Sequence, residues 1–586
     1  MTNSAMSTDA EARRSDQTSH AYGAWTFIVV ALVAVLYCLT AARVESYGSD
    51  TSTYFGLAES LRNHHAYWFD FEPHVTYPPG YPLLLAGLMS IAGDRFATLV
   101  RLSIPFYFVG LLGVYWLIKL QRGAPTAAAL TILAAVSGDA YFWSTVGLHS
   151  DVPYFTVSIY VLLCVVAGEH TPSRRRRLLC QCAGAILLAY LVLLRSVGVT
   201  LVAGLALWTC YPLLRAGGER ASVSWTRIRR WAPAVLLPIL VLLVWSSWTR
   251  RHASPSPGDY MDSYGQQILK QDPHQIDSPR LSAADLPARV LRMGATRTIN
   301  ALRMVLNTPP IYLSWYNPIV IGFTTLVIIG LGMAIVRHPS VLEAYMVTYG
   351  GLLLLYPFDE GTRYLLPILP FLALYAADGI RTCYAWTKRA LGSARAWRRL
   401  AFGGDSLLAA TLALVYVAAA LGGVVRIVTL AGVNLHPDPT QFTNIATMRV
   451  SDWLMQHSQA TDVIMDDQWA ILHRLTSRKT VRFPLTTDPA TIAARIASDS
   501  VRYVVVLNEK PFEYYNPSTM RRFDRVRELH PDWFTSTHVF QDGTIYRVRR
   551  GEFPAAASAA QAHVVLDTAS AHSLHAPLGA TAGEKQ

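Results

Sequence analysis

Charge is scarce in this chain. Of its 586 residues only 15% are Asp, Glu, Lys or Arg, against 52% hydrophobic, whereas soluble domains carry about 25% charged residues. The shortage excludes an ordinary soluble protein. With a mean hydropathy of +0.27 and many long apolar runs, it places the chain among polytopic membrane proteins. Acidic residues are the scarcer sign, 39 against 51 Lys and Arg, for a net charge of +12. In a soluble chain that excess would suggest nucleic acid. Here the arginines cluster in short loops between apolar runs, which orients a membrane protein instead, and no nucleic-acid partner is expected. Cysteine is also sparse. Cys38, Cys164, Cys180, Cys182, Cys210 and Cys383 lie in apolar runs or in loops expected in the cytoplasm. Their placement excludes a disulfide framework and any plausible metal-ligand spacing. Internal repeats are missing, and with them the two-halved plan of many transporters.

What is present is a series of apolar runs, each near the roughly 20 residues that cross a bilayer. They lie near 24–42, 97–118, 126–143, 152–168, 179–195, 197–214, 231–248, 313–336, 340–357, 365–381 and 405–430, which predicts about eleven transmembrane helices. The first is too long for the core of a cleaved signal peptide and reads as a retained anchor. The run at 81–92 follows a proline pair, is shorter, and reads as an interfacial or re-entrant helix. With Arg13 and Arg14 placed in the cytoplasm, alternate loops are basic: Lys119/Arg122, Arg174–Arg177, Arg215 to Arg230, Arg337, and Arg381 to Arg399. The positive-inside rule then sets residues 1–23 as a cytoplasmic tail and 24–430 as the membrane domain, with outer loops 43–96 and 249–312. Residues 440–550 read as a small C-terminal α/β domain outside the membrane. Helices are expected at 441–458, 488–499 and 518–530, strands at 462–466, 480–484 and 501–507, and a closing hairpin from His538 to Val548 turning on Asp542-Gly543. The Ala/Ser/His-rich stretch 551–586 has no periodicity and is expected to be disordered.

On this topology the unusual polar residues fall on one face, the outer one. The first loop carries Asp50 in Gly48-Ser49-Asp50-Thr51-Ser52-Thr53-Tyr54, followed by Tyr77-Pro78-Pro79-Gly80-Tyr81-Pro82. The next outer loop carries His149-Ser150-Asp151-Val152-Pro153, Arg195 closes the fifth run, and a further loop reads Asp359-Glu360-Gly361-Thr362-Arg363-Tyr364. Each has a simpler reading. Asp50 would suit the cap of a helix near 51–62, and the prolines a plain turn. Asp151 would complement a helix dipole, Arg195 would snorkel to the interface, and Arg363 would pair with Glu360 one turn earlier. Four loops converging on one side point to a shared site.

In order and spacing these pieces resemble the glycosyltransferase C superfamily: Asp50, Tyr77-Pro78-Pro79, Asp151, Arg195, and Arg363-Tyr364-Leu365-Leu366-Pro367-Ile368-Leu369-Pro370, over roughly residues 24–380. Most similar are bacterial relatives of dolichyl-phosphate-mannose protein mannosyltransferases and of the aminoarabinose transferase of lipid A, in glycosyltransferase family 39 and its neighbours. The chain departs from their pattern at Ser49 and Thr51, which flank a lone Asp50, and at Asp151-Val152-Pro153, where glutamate before proline is frequent. The resemblance implies a bacterial inner-membrane enzyme, N-terminus cytoplasmic and C-terminal domain periplasmic. It would move a sugar, with inversion, from a polyprenyl-phosphate donor to a lipid, glycan or protein acceptor among the membrane lipids. A carboxylate must then take the acceptor proton, a role that falls to Asp50, with Asp151 as the second catalytic acid. The leaving phosphate needs cations whose fork matches its oxygens, namely Arg195 and Arg363. Tyr77, His149, Glu360 and Tyr364 are expected to contact substrate. No cofactor is required, and a divalent cation bridging Asp50 and Asp151 is left open. The alternative class is a transporter or flippase for lipid-linked saccharide, which a polar pathway at mid-membrane would favour.

Overall fold

The computed structural model describes residues 2–549 apart from 44, 46–47, 215–217, 253–263, 274, 276–277, 309–313, 315, 392–394, 437–444, 485, 487, 508–518 and 542. The expected turn residue Asp542 and the tail 551–586 lie outside the described residues. The chain divides into a helical unit (Met1–Ala253, Asp262–Gln271 and Arg280–Thr443) and a second unit (Ser254–Met261, Asp272–Pro279 and Asn444–Gln586).

The helical unit runs α1 (Thr2–Thr40), α2 (Ser49–His64), the two-stranded ribbon β1 (Trp68–Phe69) and β2 (Glu72–Pro73), α3 (Gly80–Ala92), α4 (Phe96–Arg122), α5 (Ala124–Ala135), α6 (Gly138–Thr145), α7 (Asp151–His170) and α8 (Arg174–Leu194). It continues through α9 (Val199–Leu214), α10 (Gly218–His252), α11 (Tyr264–Leu269), α12 (Leu286–Leu306), α13 (Pro318–Arg337), α14 (Val341–Leu355), α15 (Leu369–Leu391) and α16 (Arg395–Leu435). Short 3₁₀ turns at Ser196–Gly198 and Arg363–Ile368 precede α9 and α15. Among the described residues nine helices are long and apolar enough to cross a membrane, ten if the bent pair α5–α6 is one span.

Two of the eleven expected runs account for the difference from this count, for reasons that hydropathy alone hides. The run at 340–357 forms α14, a helix of 15 residues, short of the roughly 20 that span a bilayer. The run at 126–143 breaks between α5 and α6, which meet at 54°. Backbone groups freed by a break inside apolar surroundings must find partners, and here they do. Tyr107 Oη donates to the Ala134 carbonyl, Tyr37 Oη to that of Ala135, and Gly138 N–H donates to Asn307 Oδ1. The 81–92 run is the short helix α3, as expected. Its first residue must be small, because a Cβ on Gly80 would lie 2.6 Å from the Leu193 backbone of α8. Tyr190 Oη also donates to the Gly80 carbonyl at 3.1 Å. The Tyr77-Pro78-Pro79-Gly80 turn is thereby wedged against the end of α8, the residue before Arg195.

The second unit is a five-stranded sheet of order β4-β3-β5-β7-β6, from β3 (Val463–Asp466), β4 (Lys479–Arg482), β5 (Val501–Leu507), β6 (Phe534–Phe540) and β7 (Gly543–Val548). β3 pairs parallel with β4 and β5, and β7 antiparallel with β5 and β6. The central β5 is apolar at Val501, Val504, Val505 and Val506 and is buried on both faces, as the middle strand of a two-sided α/β sheet must be. Helices at Ile445–His457, Pro489–Ser498 and Thr519–Leu529 match the expected ones, and a further helix, Trp469–Thr476, connects β3 to β4.

Candidate active site

Asp50 lies in the first turn of α2, whose N-cap is Gly48 and carries no side-chain cap. Its carboxylate is turned elsewhere: Oδ1 accepts from Tyr77 Oη at 2.6 Å and Oδ2 from Arg363 Nη1 at 2.6 Å. Tyr77 is fixed in turn by its backbone. Its N–H donates to His74 Nε2 at 3.0 Å, and its carbonyl accepts from Tyr67 Oη at 2.7 Å. Asp151 opens α7 and holds both arginines: Oδ2 accepts from Arg363 Nε at 2.5 Å, and Oδ1 is ion-paired with Arg195 Nη1. Arg195 is the C-cap of α8 and also donates to Ser150 Oγ at 3.3 Å, while Ser150 Oγ meets Tyr54 Oη at 3.1 Å. Four charges from four separate segments thus form one neutral network, with the Arg363 guanidinium between the two acids. The place a bridging cation would take is held by that side chain. No group of three or more metal-ligating residues lies together among the described residues.

The two acids are not equivalent. Asp151 keeps 3% of its side-chain surface and Asp50 30%, so only Asp50 can meet an incoming hydroxyl. Burial alone would push the Asp50 carboxyl upward; Arg363, the Tyr77 hydroxyl and Arg195 outweigh it and hold the group down to about 2. The carboxylate is therefore ionised throughout the physiological range. Burial drives Glu360 the opposite way, raising it despite Arg363, and lowers His149 to about 4 with help from Arg363. For Arg195, burial pulls down but Asp151 more than offsets it, and the guanidinium stays charged.

Some polar atoms are left over. Among the described residues Arg363 Nη2 and His149 Nδ1 are buried with no hydrogen-bond partner, as is Nε of Arg297. Buried polar atoms are nearly always satisfied, so an arginine with two nitrogens on carboxylates and the third unused is a cation with a vacant hydrogen-bond direction. Around it stand aromatic faces. Arg363 lies 5.9 Å from the Trp143 ring, and Arg195 and Arg297 lie 5.2 and 5.8 Å from the Tyr364 ring. His149 packs edge-on to Trp143 at 5.2 Å.

All eight residues expected from the sequence lie in this neighbourhood. Several of the simpler readings do not describe them. Asp50 makes no cap bond. Arg195 is paired with Asp151 rather than extended to an interface. Arg363 forms its ion pairs with Asp50 and Asp151, not with Glu360. Sequence reading missed Tyr54 and Ser150, which link Arg195 to α2, and Arg297. The latter anchors the site loop through Asp359 Oδ1 at 2.9 Å and the Phe358 carbonyl. It also missed the buried pair Asp139–Arg426, although a charge inside an apolar run is a signal in its own right.

No protein-family model matches the chain, and no curated protein matches it by sequence. Among solved structures it is similar to the aminoarabinose transferase ArnT from Cupriavidus metallidurans bound to undecaprenyl phosphate, with 13% identity and a TM-score of 0.54 over 90% of this chain and 98% of that one. The apo state of the same protein gives the same values. The Archaeoglobus fulgidus oligosaccharyltransferase tethered with an acceptor peptide containing the NVT sequon is 11% identical, with a TM-score of 0.51, over 90% of this chain and 74% of that one. Identity this low speaks to architecture alone: this is a polytopic α-helical membrane protein that shares the fold of these two proteins.

Proposed function

We propose that the chain is an inverting glycosyltransferase of a bacterial inner membrane, which takes a sugar from a polyprenyl-phosphate donor and gives it to a lipid, glycan or protein hydroxyl. The observation that carries this reading is the Asp50–Arg363–Asp151–Arg195 network with its unused Arg363 Nη2. The fold shared with a transferase described with undecaprenyl phosphate supports it.

The chemistry follows from charge. The acceptor oxygen attacks the anomeric carbon as the bond from that carbon to the phosphate oxygen breaks, through an oxocarbenium-like state. The hydroxyl proton passes to Asp50, and polyprenyl phosphate leaves with one more negative charge. Arg363 and Arg195 would receive that charge as bidentate donors. Asp50 is a weak base while Arg363 holds it. When the donor phosphate draws the guanidinium toward itself, loss of the opposite charge raises the basicity of Asp50, so donor binding itself would arm the base. Asp151, closed to solvent, keeps both arginines in place. Tyr77, His149, Glu360 and Tyr364 border the space in which sugar and acceptor would sit. In the same reading residues 1–23 are cytoplasmic, 24–430 form the transferase domain, and 440–550 form a periplasmic domain followed by a tail.

The test is direct. Purified protein is incubated with a panel of undecaprenyl-phosphate sugars and acceptor lipids, and donor consumption is followed by mass spectrometry, with the linkage anomer read by NMR. Consumption of one donor with inversion is expected. Transport of an intact lipid-linked saccharide without cleavage would point to the flippase class instead.

A further inference from the structure

A second carboxylate–arginine pair lies inside the apolar runs and takes no part in the chemistry above. Asp139, in α6, receives two bonds from Arg426 of α16: Nη1 to Oδ2 at 2.7 Å and Nη2 to Oδ1 at 3.0 Å. Oδ1 also accepts from Thr362 Oγ1 at 3.0 Å, and Thr362 Oγ1 accepts from Trp143 Nε1 at 3.1 Å. Both Asp139 oxygens, both terminal nitrogens of Arg426, the Thr362 hydroxyl and the Trp143 N–H are thus engaged, and Asp139 and Thr362 are each 6% exposed. Charges at such depth are costly and persist only when paired.

The location matters. Thr362 is the residue before Arg363 and the N-cap of the 3₁₀ turn Arg363–Ile368. The Trp143 ring that bonds Thr362 also lies against the Arg363 guanidinium. The helix break supplies the other half of the device. α16 comes close enough to the bend that a Cβ on Gly423 would lie 2.0 Å from the Val136 carbonyl oxygen. Asn434, further along α16, donates to the Thr40 carbonyl, Tyr141 Oη and Thr145 Oγ1, each at 3.1 Å. The last span is therefore fastened to α6 at two points, and α6 is fastened to Thr362.

We infer that Asp139 and Arg426 are positioning residues for Arg363: through Thr362 they fix the start of the 3₁₀ turn so that the Arg363 guanidinium bridges Asp50 and Asp151 and leaves Nη2 toward the donor phosphate. The phosphate end of the inference rests on the function proposed above; the anchoring end does not. A guanidinium that must reach two carboxylates and a ligand at once tolerates little displacement, since misplacement by about 1 Å costs on the order of 10²-fold at a reacting centre.

The test uses the full-length protein in nanodiscs, with Thr362→Val, which removes only the hydroxyl, Thr362→Ser, which keeps it, and Arg426→Gln. Two readouts are taken: affinity for undecaprenyl phosphate, and hydrogen exchange at the Leu365 amide, which bonds the Thr362 carbonyl at 3.0 Å. Thr362→Val and Arg426→Gln should each weaken binding about tenfold, as coupled neighbours do, and speed exchange at Leu365. Thr362→Ser should behave as wild type in both. Unchanged exchange in Thr362→Val overturns the anchoring. Faster exchange with unchanged affinity overturns the link to Arg363. Equal loss in Thr362→Ser and Thr362→Val shows a packing effect and also overturns it. If wild-type protein fails to bind undecaprenyl phosphate, the donor reading fails, and the exchange measurement alone decides the anchoring. Should Arg426→Gln not fold, Thr362→Val carries the test.

Discussion

The molecule holds two carboxylate–arginine clusters built from the same chemical groups, and they differ in how completely they are satisfied. Around Asp139, one guanidinium and one hydroxyl take both carboxylate oxygens, and one indole N–H takes the hydroxyl in turn. Around Asp151 and Asp50, two guanidiniums are divided between two acids, one acid is partly open, and Arg363 Nη2 and His149 Nδ1 have no partner among the described residues. A closed cluster stabilises one geometry, whereas a cluster with unused hydrogen-bonding capacity can accept a ligand. Both clusters balance their charges, so charge would not have told them apart. The difference lies in the unused atoms and in the open Asp50 carboxylate.

The comparison can be broken most sharply at Asp50. Asp50→Asn keeps the shape and removes the base, and transfer should fall by about 10²-fold or more while the thermal midpoint stays near that of wild type. Asp139→Asn should behave in the reverse sense. It leaves Arg426 buried without its counter-charge, a change of about 3 kcal/mol in stability, with a smaller loss of turnover. If Asp139→Asn lost more turnover than Asp50→Asn, the roles of the two clusters would be exchanged.

Lysine for arginine sharpens the contrast further. At Arg363 and Arg195 lysine keeps the charge but loses the fork, so donor affinity should rank arginine, lysine, alanine at both positions. The Arg363→Lys step should be about tenfold, the size of a single charge-assisted bond of roughly 1.5 kcal/mol. Equal affinity of the lysine and arginine forms would remove the bidentate role.

The smallest effect concerns acid stability. His149 is held neutral by burial, down to about 4 from 6.5. The unfolded chain therefore binds a proton that the folded chain refuses between those values, and stability falls as pH drops from 6.5 toward about 4. His149→Gln should flatten that part of the profile, measured as the thermal midpoint against pH. His74, held down to about 3 by burial, should keep a remainder. An unchanged profile would mean that His149 is hydrated in the free protein.

Much of this was written in the order of residues. Apolar length fixed the membrane class, and β5 with its flanking helices was readable as an α/β sheet because a short apolar valine-rich run between helical segments is a local signal. Asp50, Asp151, Arg195 and Arg363 were readable as odd polar residues at the ends of apolar runs, where their cost demands a reason. Two opposite charges inside apolar runs, Asp139 and Arg426, carried the same signal and were passed over, because each run was long enough to be counted as a plain span.

Tertiary structure decided the pairings. Asp50 and Arg363 are 313 positions apart and Asp139 and Arg426 are 287 apart, and no local pattern links residues at such separation. It also decided that one span is broken, since a 54° bend is accommodated by hydroxyls from α1 and α4 and by the Asn307 side chain just after α12. And it decided which acid is open. Sequence determines that a carboxylate stands at a membrane surface; only the packing of four segments sets which of its oxygens face arginine and how much of it faces water.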